Sequence, residues 1–313
     1  MVPRALAQPQ GHRPRIAQLA SELTVSVING GSVQIRRASN ALESESASGA
    51  TDALLTTTPD DTSTELVWTA FDAESGRFVP QTLEGTLDAE ATVGFFEATR
   101  ANGSLYVATD ADNASGLSMP VLFACDGGGA CVQNFVCEGS TAGEMRKAAV
   151  SRWGDDVAYA RDCNGDLIVS DVGATTDLLR RDSLSFDRLA LTSLASGPVV
   201  ATLSNAGLPS SRLQIHLGQE SSDAFPLASA NDPTITGVGG DATLVVFTHA
   251  VGDSATLGAV YCADRTAASC RQVALEGAEL AGAGSPSLGT DTTGAVWLAW
   301  ERDGDVHLGQ LVP

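Results

Sequence analysis

The C-terminal segment alternates short apolar runs with polar turns. In GSPSLGTDTTGAVWLAWERDGDVHLGQLVP the apolar runs cover residues 286–288, 296–300 and 306–311. The dipeptide Asp303-Gly304 separates the second run from the third. Asp-Gly between such runs is typical of a β-hairpin, because a type I′ turn needs a positive φ at both central residues. The pattern therefore predicts short antiparallel strands.

The same pattern recurs upstream. Residues 157–170, VAYARDCNGDLIVS, align without a gap on residues 296–309, so that Asn164-Gly165 falls on Asp303-Gly304. Further copies of single runs are ELVWTAFD (65–72), NGSLYVATD (102–110), QIHLG (214–218) and TLVVFTHA (243–250). No long stretch combines a helical apolar period with capping residues, so the sequence predicts an all-β protein.

The copies recur about every 40 to 50 residues, which is the period of propeller blades. The repeats resemble the β-propeller superfold, and the resemblance implies a single six-bladed β-propeller, with seven blades as the alternative. The predicted units are 54–85, 91–139, 148–180, 186–227, 233–277 and 286–313.

The last predicted unit is short of a strand, and an unpaired strand would leave an exposed sheet edge. We expect one or both of the apolar runs at 22–28 and 33–37 to complete this blade, so that an N-terminal strand closes the ring.

One stretch is loosely similar to the Asp-box repeats of sialidase-like propellers. It is GTDTTGAVWLAW, residues 289–300. In Asp boxes the glycine follows the aspartate by two residues, whereas Gly294 follows Asp291 by three. Neither a WD dipeptide nor a kelch double glycine recurs along the chain. The resemblance to propellers therefore covers nearly the whole chain at the level of the fold and identifies no particular family.

Four of the six cysteines bracket predicted hairpins. Cys125 and Cys262 end one apolar run, and Cys131 and Cys270 begin the next, between the third and outer strands of their units. Cysteines that face each other across a hairpin can reach disulfide distance. A zinc site would need four ligands, typically with knuckle spacing, and a C-x-x-C redox motif is absent. We therefore predict Cys125–Cys131 and Cys262–Cys270 disulfides.

The remaining cysteines, Cys137 and Cys163, lie in adjacent units and are predicted to form a third disulfide. Three disulfides indicate an oxidising compartment, so we expect a secreted, periplasmic or cell-surface protein.

The N-terminus is ambiguous. Residues 1–20 are predicted to be a flexible tail or the remnant of a signal peptide, with the propeller over residues 21–313. MVPRALAQPQ lacks the apolar core of a signal peptide, but Ala5-Leu6-Ala7 has the small-x-small form of a cleavage site. This tripeptide has two explanations: a signal peptide whose upstream part is missing from the sequence, or a chance match.

The charge balance narrows the choice of partners. The chain carries 18 basic and 38 acidic residues, a formal net charge of −20. So acidic a surface repels the phosphates of nucleic acids and anionic lipids, and it keeps a protein soluble and monomeric. The chain has no run of about eighteen apolar residues, so the sequence predicts no transmembrane helix. We expect a monomer without nucleic-acid partners or membrane insertion.

The segment SRWGDD, 151–156, holds the candidate ligand-binding residues Arg152, Trp153, Asp155 and Asp156. A tryptophan can stack on a sugar ring, and Arg with Asp can hydrogen-bond hydroxyl groups. The alternative is a turn in which Trp153 folds back onto its blade.

The segment DADNASG, 110–116, presents oxygen ligands that suit a hard cation such as calcium, from Asp110, Asp112 and Asn113. It lacks the closing glutamate of an EF-hand loop. No other cofactor is predicted.

No catalytic set is evident. The chain has no G-x-S-x-G, H-E-x-x-H or P-loop motif, and His216 and His307 occupy equivalent strand positions that indicate a scaffold role. We therefore expect a non-catalytic recognition module for glycans or proteins. The alternatives are a glycoside hydrolase or lyase at the channel mouth and a structural surface protein. Arginine and carboxylate side chains that converge on the channel would favour the enzyme.

Overall fold

The computed structural model describes residues 12–19, 22–30, 32–37, 42–45, 49–57, 64–91, 96–112, 118–134, 147–174, 176–252, 254–275 and 280–311. Over these residues the chain forms seven antiparallel sheets, each built from strands that follow one another in sequence. The sheets are the blades of a β-propeller.

Blade 1 contains β1 (His12–Leu19), β2 (Glu22–Asn29), β3 (Ser32–Arg37) and β4 (Leu42–Glu45). Blade 2 contains β5 (Ala50–Thr57), β6 (Thr64–Asp72), β7 (Arg77–Thr82) and β8 (Gly85–Thr86). Blade 3 contains β9 (Glu97–Ala101), β10 (Ser104–Asp112), β11 (Ser118–Cys125) and β12 (Cys131–Asn134). Blade 4 contains β13 (Ala148–Trp153), β14 (Asp156–Cys163), β15 (Asp166–Asp171) and β16 (Thr176–Arg181).

Blade 5 contains β17 (Arg188–Leu194), β18 (Gly197–Ser204), β19 (Ser211–Leu217), β20 (Glu220–Ser221) and β21 (Phe225–Leu227). Blade 6 contains β22 (Asn231–Gly237), β23 (Thr243–Val251), β24 (Ser254–Cys262) and β25 (Cys270–Val273). Blade 7 contains β26 (Gly284–Thr290), β27 (Val296–Arg302) and β28 (Asp305–Leu311).

The first strand of every blade lines one central channel, whose cavity measures about 380 Å³. These seven strands are therefore the innermost ones. We call the face at which they begin the top face and the opposite face the bottom face. Because the second strand of a blade runs antiparallel to the first, the hairpin between the second and third strands lies on the top face.

The prediction of six blades closed by an N-terminal strand is wrong, and the structure has the alternative number, seven. The runs at 22–28 and 33–37 pair with each other as β2 and β3, with β1 and β4 outside them, in a blade of their own. The boundary predicted at residue 21 also moves, since β1 lies within the segment 1–20 that was assigned to a tail. The second strand of this blade, ELTVSVIN, lacks the V-W-x-A pattern of residues 67–70 and 296–299, so its sequence does not resemble those copies.

Blade 1 closes the ring by packing, not by strand exchange. In the described residues, blade 7 has three strands, and its apolar face meets that of blade 1. The buried side chains of this contact are Leu23, Val25, Val27, Ala299, Val306 and Leu308. The Ile16 amide donates a hydrogen bond to Ser287 Oγ at 3.0 Å. A Cβ on Gly289 would lie 2.3 Å from Ile16 Cγ2, so only glycine lets β1 come this close.

The predicted hairpin turns are confirmed. Asn164 and Gly165 have φ values of 57° and 85°, and Asp303 and Gly304 have φ values of 54° and 83°. Both central residues of each turn are thus in the left-handed region that a type I′ turn requires. This geometry fixes the register of β14 with β15 and of β27 with β28.

Two predicted disulfides are also confirmed. Cys125 is bonded to Cys131 and Cys262 to Cys270, each across the hairpin between the third and fourth strands of its blade. Cys163 is disulfide-bonded as well, whereas Cys137 lies outside the described residues, so that pairing stays a prediction. No helix in the described ranges is long and apolar enough to cross a membrane.

Deleting residues 1–20 tests this view of the ring. The deletion removes β1, which lines the channel and packs on blade 7. We expect the variant to lose its cooperative thermal unfolding transition, measured by circular dichroism, because the apolar faces of blades 1 and 7 become exposed. If the tail interpretation held instead, the variant would melt close to the full-length protein.

Candidate functional site

The channel has aliphatic walls and a polar upper mouth. Its walls include Leu54, Leu55, Leu189, Leu191, Ile235 and Leu288. Near the start of the innermost strands, the lining becomes polar, with Arg15, Glu97, Asp232 and Ser285. Leu54 and Leu55 are themselves buried in the packing between neighbouring blades, so the polar mouth is the more accessible part of the channel.

Arg15 joins three blades at this mouth. Its Nη2 atom lies 2.8 Å from Asp52 Oδ2, and its Nη1 atom lies 2.6 Å from Glu97 Oε1. Nη2 also donates to the Phe96 carbonyl at 3.1 Å. Burial alone would lower the pKa of Arg15, but the charges of Asp52 and Glu97 more than offset it and raise the pKa above its ordinary value. The guanidinium is therefore a fixed positive charge shared by two carboxylates.

Bulges at the starts of the innermost strands aim side chains at the mouth. The register of β22 with β23 shifts between Asn231 and Thr234, and that of β26 with β27 shifts between Gly284 and Ser287. Asp232 and Ser285, inside these bulges, both have a φ of 47°, a conformation that costs free energy in residues other than glycine. Bulges often re-aim side chains next to functional sites.

A proline follows each strained residue, Pro233 and Pro286, and β1 carries Pro14 just before Arg15. The innermost strand is an edge strand, where the missing amide of proline is tolerated. The repeated tripeptides RPR, DPT and SPS are thus a sequence signal for the channel rim, and our sequence analysis missed it.

A second charged cluster lies on the top side of blades 3 to 5. Lys147 Nζ lies 2.6 Å from Asp162 Oδ2. Asp110, with a relative exposure of 0%, lies close enough to interact electrostatically with both of these charges and with Arg188. Burial raises the pKa of Asp110 to about 7; Lys147 and Arg188 oppose this rise and Asp162 adds to it. Asp110 therefore exchanges its proton near neutral pH.

The residues predicted to bind calcium do not form a complete set in the described structure. Asp110 is buried in β10, and Asp112 at the end of β10 pairs with Arg77 Nη1 of blade 2 at 2.9 Å. Asn113 lies outside the described residues. Among the described residues, no group of three or more His, Cys, Asp or Glu side chains is placed to hold a metal ion. The calcium site stays a prediction.

The predicted ligand-binding residues lie together in the hairpin between β13 and β14, on the bottom face. Arg152 is exposed, and its Nε donates to the Gly154 carbonyl at 3.1 Å. Trp153 is half-buried and packs against the apolar cluster between blades 4 and 5. Asp155 is exposed and Asp156 is half-buried. The contacts of Trp153 match the alternative in which it folds back onto its blade.

The two strand histidines make scaffold contacts. His216 is buried between Thr202 Oγ1 and Ser221 Oγ, each 2.9 Å from a ring nitrogen. Burial, together with a smaller effect of the charge of Arg181, lowers the pKa of His216 to about 3, so the ring is neutral at ordinary pH. His307 stacks on Trp300 with ring centroids 5.4 Å apart.

Comparisons with known proteins support the fold. No protein-family model and no curated protein matches the chain. The β-propeller domain of Myceliophteria thermophila Cps50 (Swd1) is similar over 98% of this chain and 100% of that one, at 12% identity and a TM-score of 0.55. The Dos1 propeller covers 93% of this chain and 75% of its own, at 12% identity and a TM-score of 0.51.

A thermostable family-43 glycoside hydrolase covers 99% of this chain and 92% of its own, at 11% identity and a TM-score of 0.44. At such identities the similarities to the Cps50 (Swd1) and Dos1 propellers show the propeller fold alone. They identify no family, and the sialidase-like similarity of residues 289–300 stays a prediction.

The raised pKa of Asp110 predicts a pH-dependent stability. Between pH 3.8, its ordinary pKa, and about 7, the folded state keeps a proton that the unfolded state releases, so the free energy of unfolding falls as pH rises. Asp110→Asn removes this titration. Relative to wild type, the variant should gain up to about 4 kcal/mol in free energy of unfolding between pH 4 and pH 8, measured by urea denaturation.

The matched control is Asp303→Asn, since Asp303 is an exposed carboxylate whose turn position accepts asparagine. The pH-dependent difference from wild type should be larger for Asp110→Asn than for this control. An equal pH dependence in the two variants would contradict the assignment.

Proposed function

We propose that this propeller is a non-catalytic binding module that docks a protein partner on its top face. The observation that carries the proposal is the position of exposed large apolar side chains. Phe71, Leu208 and Val251 are each more than half exposed. All three lie at hairpins between second and third strands, on the same face as the polar channel mouth.

Two of these side chains belong to one patch. The Ser229 amide donates to the Leu208 carbonyl at 2.9 Å, and the Ala250 amide donates to the Ala228 carbonyl at 2.9 Å. These bonds join the top hairpins of blades 5 and 6 to the segment that connects the two blades. Leu208 and Val251 therefore flank the exposed Ala228, and such patches are typical of protein-interaction sites.

Phe71 lies across the ring on blade 2. Its ring packs edge-on against Phe78, with centroids 5.3 Å apart, which fixes its orientation although it is exposed. An aromatic side chain held in place loses little conformational freedom on binding, which suits a contact residue.

The top face is also acidic, which favours a basic partner. The carboxylates at its hairpins and blade connections include Asp72, Glu74, Glu90, Asp112, Asp162, Asp166, Asp182, Asp187, Asp232, Asp303 and Asp305. Six of them are in ion pairs: Arg77 pairs with Glu90 and Asp112, Arg180 with Asp166 and Asp182, Lys147 with Asp162, and Arg302 with Asp303. A net charge of −20 over the chain would add long-range attraction for a cationic protein.

The burial and ion pairing of the carboxylates near the channel mouth support a role without catalysis. A glycoside hydrolase needs two carboxyl groups that reach the sugar. Asp52 is 1% exposed, and it shares Arg15 with Glu97. Asp110, whose raised pKa would suit a general acid, is buried away from the channel surface. Asp52 and Asp110 are therefore poorly placed to touch a substrate, and Glu97, which lines the channel, is engaged by Arg15.

The packing of Trp153 and the exposed apolar side chains of the top face favour a protein partner over a glycan. The tryptophan offered for sugar stacking, Trp153, packs on its own blade. The exposed apolar groups of the top face suit the apolar core of a protein interface better than a polyhydroxylated ligand. Two disulfides across exposed hairpins support a protein that works in an oxidising compartment, outside the cytosol.

Removing the apolar contacts tests the proposal. The immobilised wild type, the variant Phe71→Ser/Leu208→Ser/Val251→Ser and the matched control Leu83→Ser/Val132→Ser would be exposed to the same extract of the producing cells. We expect basic proteins to be retained by the wild type and the control and lost by the top-face variant. Retention should fall at high salt, because surface charges are screened.

The three proteins must first show comparable melting temperatures, so that any loss of binding reflects the surface. The same set of proteins on the top-face variant as on the wild type would overturn the proposal. So would loss on the control alone, which would place the binding surface elsewhere.

A further inference from the structure

A second cavity opens on the bottom face, between blades 2 and 3. It measures about 290 Å³, at the small end of the range for ligand sites. The hairpin closed by Cys125–Cys131 forms one wall, and the turn between β7 and β8 forms the other. The top face described above takes no part in it.

The same hairpin occurs three blades further on. Cys125 and Cys131 face each other in blade 3, opposite Leu105 of the second strand. Cys262 and Cys270 occupy the same register in blade 6, opposite Thr243. The two disulfide-closed hairpins are therefore equivalent, and the cleft beneath each can be compared directly.

In blade 6 the hairpin fills its cleft with an arginine. Arg265 Nη1 donates to the Gly197 carbonyl at 2.9 Å, and Nη2 donates to the Pro198 carbonyl at 3.2 Å, both in blade 5. A Cβ on Gly218 would lie 2.7 Å from Arg265 Nη2. The cleft between blades 5 and 6 is thus shaped around a guanidinium.

In blade 3 the hairpin has no side chain at this place. In both hairpins an aspartate caps the turn: Asp264 Oδ1 accepts from the Thr266 amide at 2.8 Å, and Asp126 Oδ1 accepts from the Gly128 amide at 2.9 Å. Arg265 follows the first aspartate, and Gly127 follows the second. The position that fills the cleft in blade 6 is a glycine in blade 3, and the cavity remains open.

The cavity between blades 2 and 3 is acidic. Its ionisable lining residues are Glu65, Glu84, Asp126 and Arg100, which gives three negative charges, one positive charge and a formal sum of −2. Arg100 Nε lies 2.6 Å from Glu65 Oε2, and both side chains are buried at the floor. Glu84 and Asp126 are exposed at the rim, where they could bind a cation.

We propose that the cleft between blades 2 and 3 binds the guanidinium of an arginine side chain of a partner protein, in the place that Arg265 occupies in the equivalent cleft. Glu84 and Asp126 receive the charge, and the glycines at 127–129 leave room for the side chain. Arginine suits this site better than lysine, because its planar fork can bond carboxylate and carbonyl oxygens together.

The test uses three short peptides on the full-length protein: acetyl-Gly-Arg-Gly-amide, the same peptide with citrulline, which is isosteric and neutral, and the same peptide with lysine. Binding is followed by the amide NMR shifts of Gly127, Gly128 and Gly129. We expect saturable shifts with the arginine peptide and much weaker ones with the other two. Equal binding of arginine and citrulline, equal binding of arginine and lysine, or no shifts would each overturn the proposal.

Two variants locate the binding. Gly127→Arg should occupy the cleft from within and abolish peptide binding; a Cβ there meets no atom within 4 Å. Glu84→Gln should weaken binding about five- to tenfold, as expected for one lost charge-assisted contact. Glu220→Gln, the same change at an exposed glutamate beside the cleft that Arg265 already fills, is the matched control. Unchanged affinity in Glu84→Gln, or an equal loss in Glu220→Gln, would contradict the assignment even if Gly127→Arg failed to fold.

Discussion

One half-buried guanidinium fixes the geometry of the channel mouth. Arg15 extends from the innermost strand of blade 1 to Asp52 of blade 2 and Glu97 of blade 3. Asp52 in turn accepts from the Ala53 amide at 3.0 Å and from the Phe96 amide at 3.4 Å. This one charge therefore holds the first residues of the innermost strands of three blades together. The position of these strands in turn sets the position of the hairpins on the top face.

The ion pair and the apolar packing of the ring depend on each other. Blades 1 and 7 meet through buried aliphatic side chains, with the Ile16 amide bonded to Ser287. Ile16 follows Arg15 in β1, so the same strand closes the ring on one side and binds blades 2 and 3 on the other. A buried ion pair is costly to break, because the remaining charge loses its partner in a medium of low dielectric constant.

Local signals in the sequence predicted the local structure. The turns at Asn164-Gly165 and Asp303-Gly304 and the hairpin disulfides depend on neighbouring residues, so short-range patterns sufficed. These short-range patterns did not predict the number of blades. A correct count requires β1, HRPRIAQL, to be recognised as a strand, although Pro14 and charged residues interrupt its apolar pattern. The candidate sites were predicted from residue types in loops, and the structure places Trp153 and Asp110 against their own blades.

The charged mouth could not be predicted because its partners are distant in sequence. Arg15 is separated from Asp52 by 37 residues and from Glu97 by 82. The bottom cleft likewise depends on comparing two hairpins whose loops differ in length and residues. The repeated blades contain structurally equivalent positions. Where the side chains at two equivalent positions differ, as Arg265 and Gly127 do, the difference indicates where a ligand group would fit.

The most direct test of this account is a double-mutant cycle on Arg15 and Asp52, followed by the free energy of unfolding at pH 7. Arg15→Met alone should cost about 3 to 5 kcal/mol, because Asp52 keeps a buried charge without its cation. Adding Asp52→Asn to Arg15→Met should recover part of that loss, since asparagine is neutral. Its single side-chain oxygen can keep one of the two backbone hydrogen bonds, because the Ala53 and Phe96 amides donate to different oxygens of Asp52. Additive losses, or a loss for Arg15→Met below about 1 kcal/mol, would contradict the claim that this pair fixes the channel mouth.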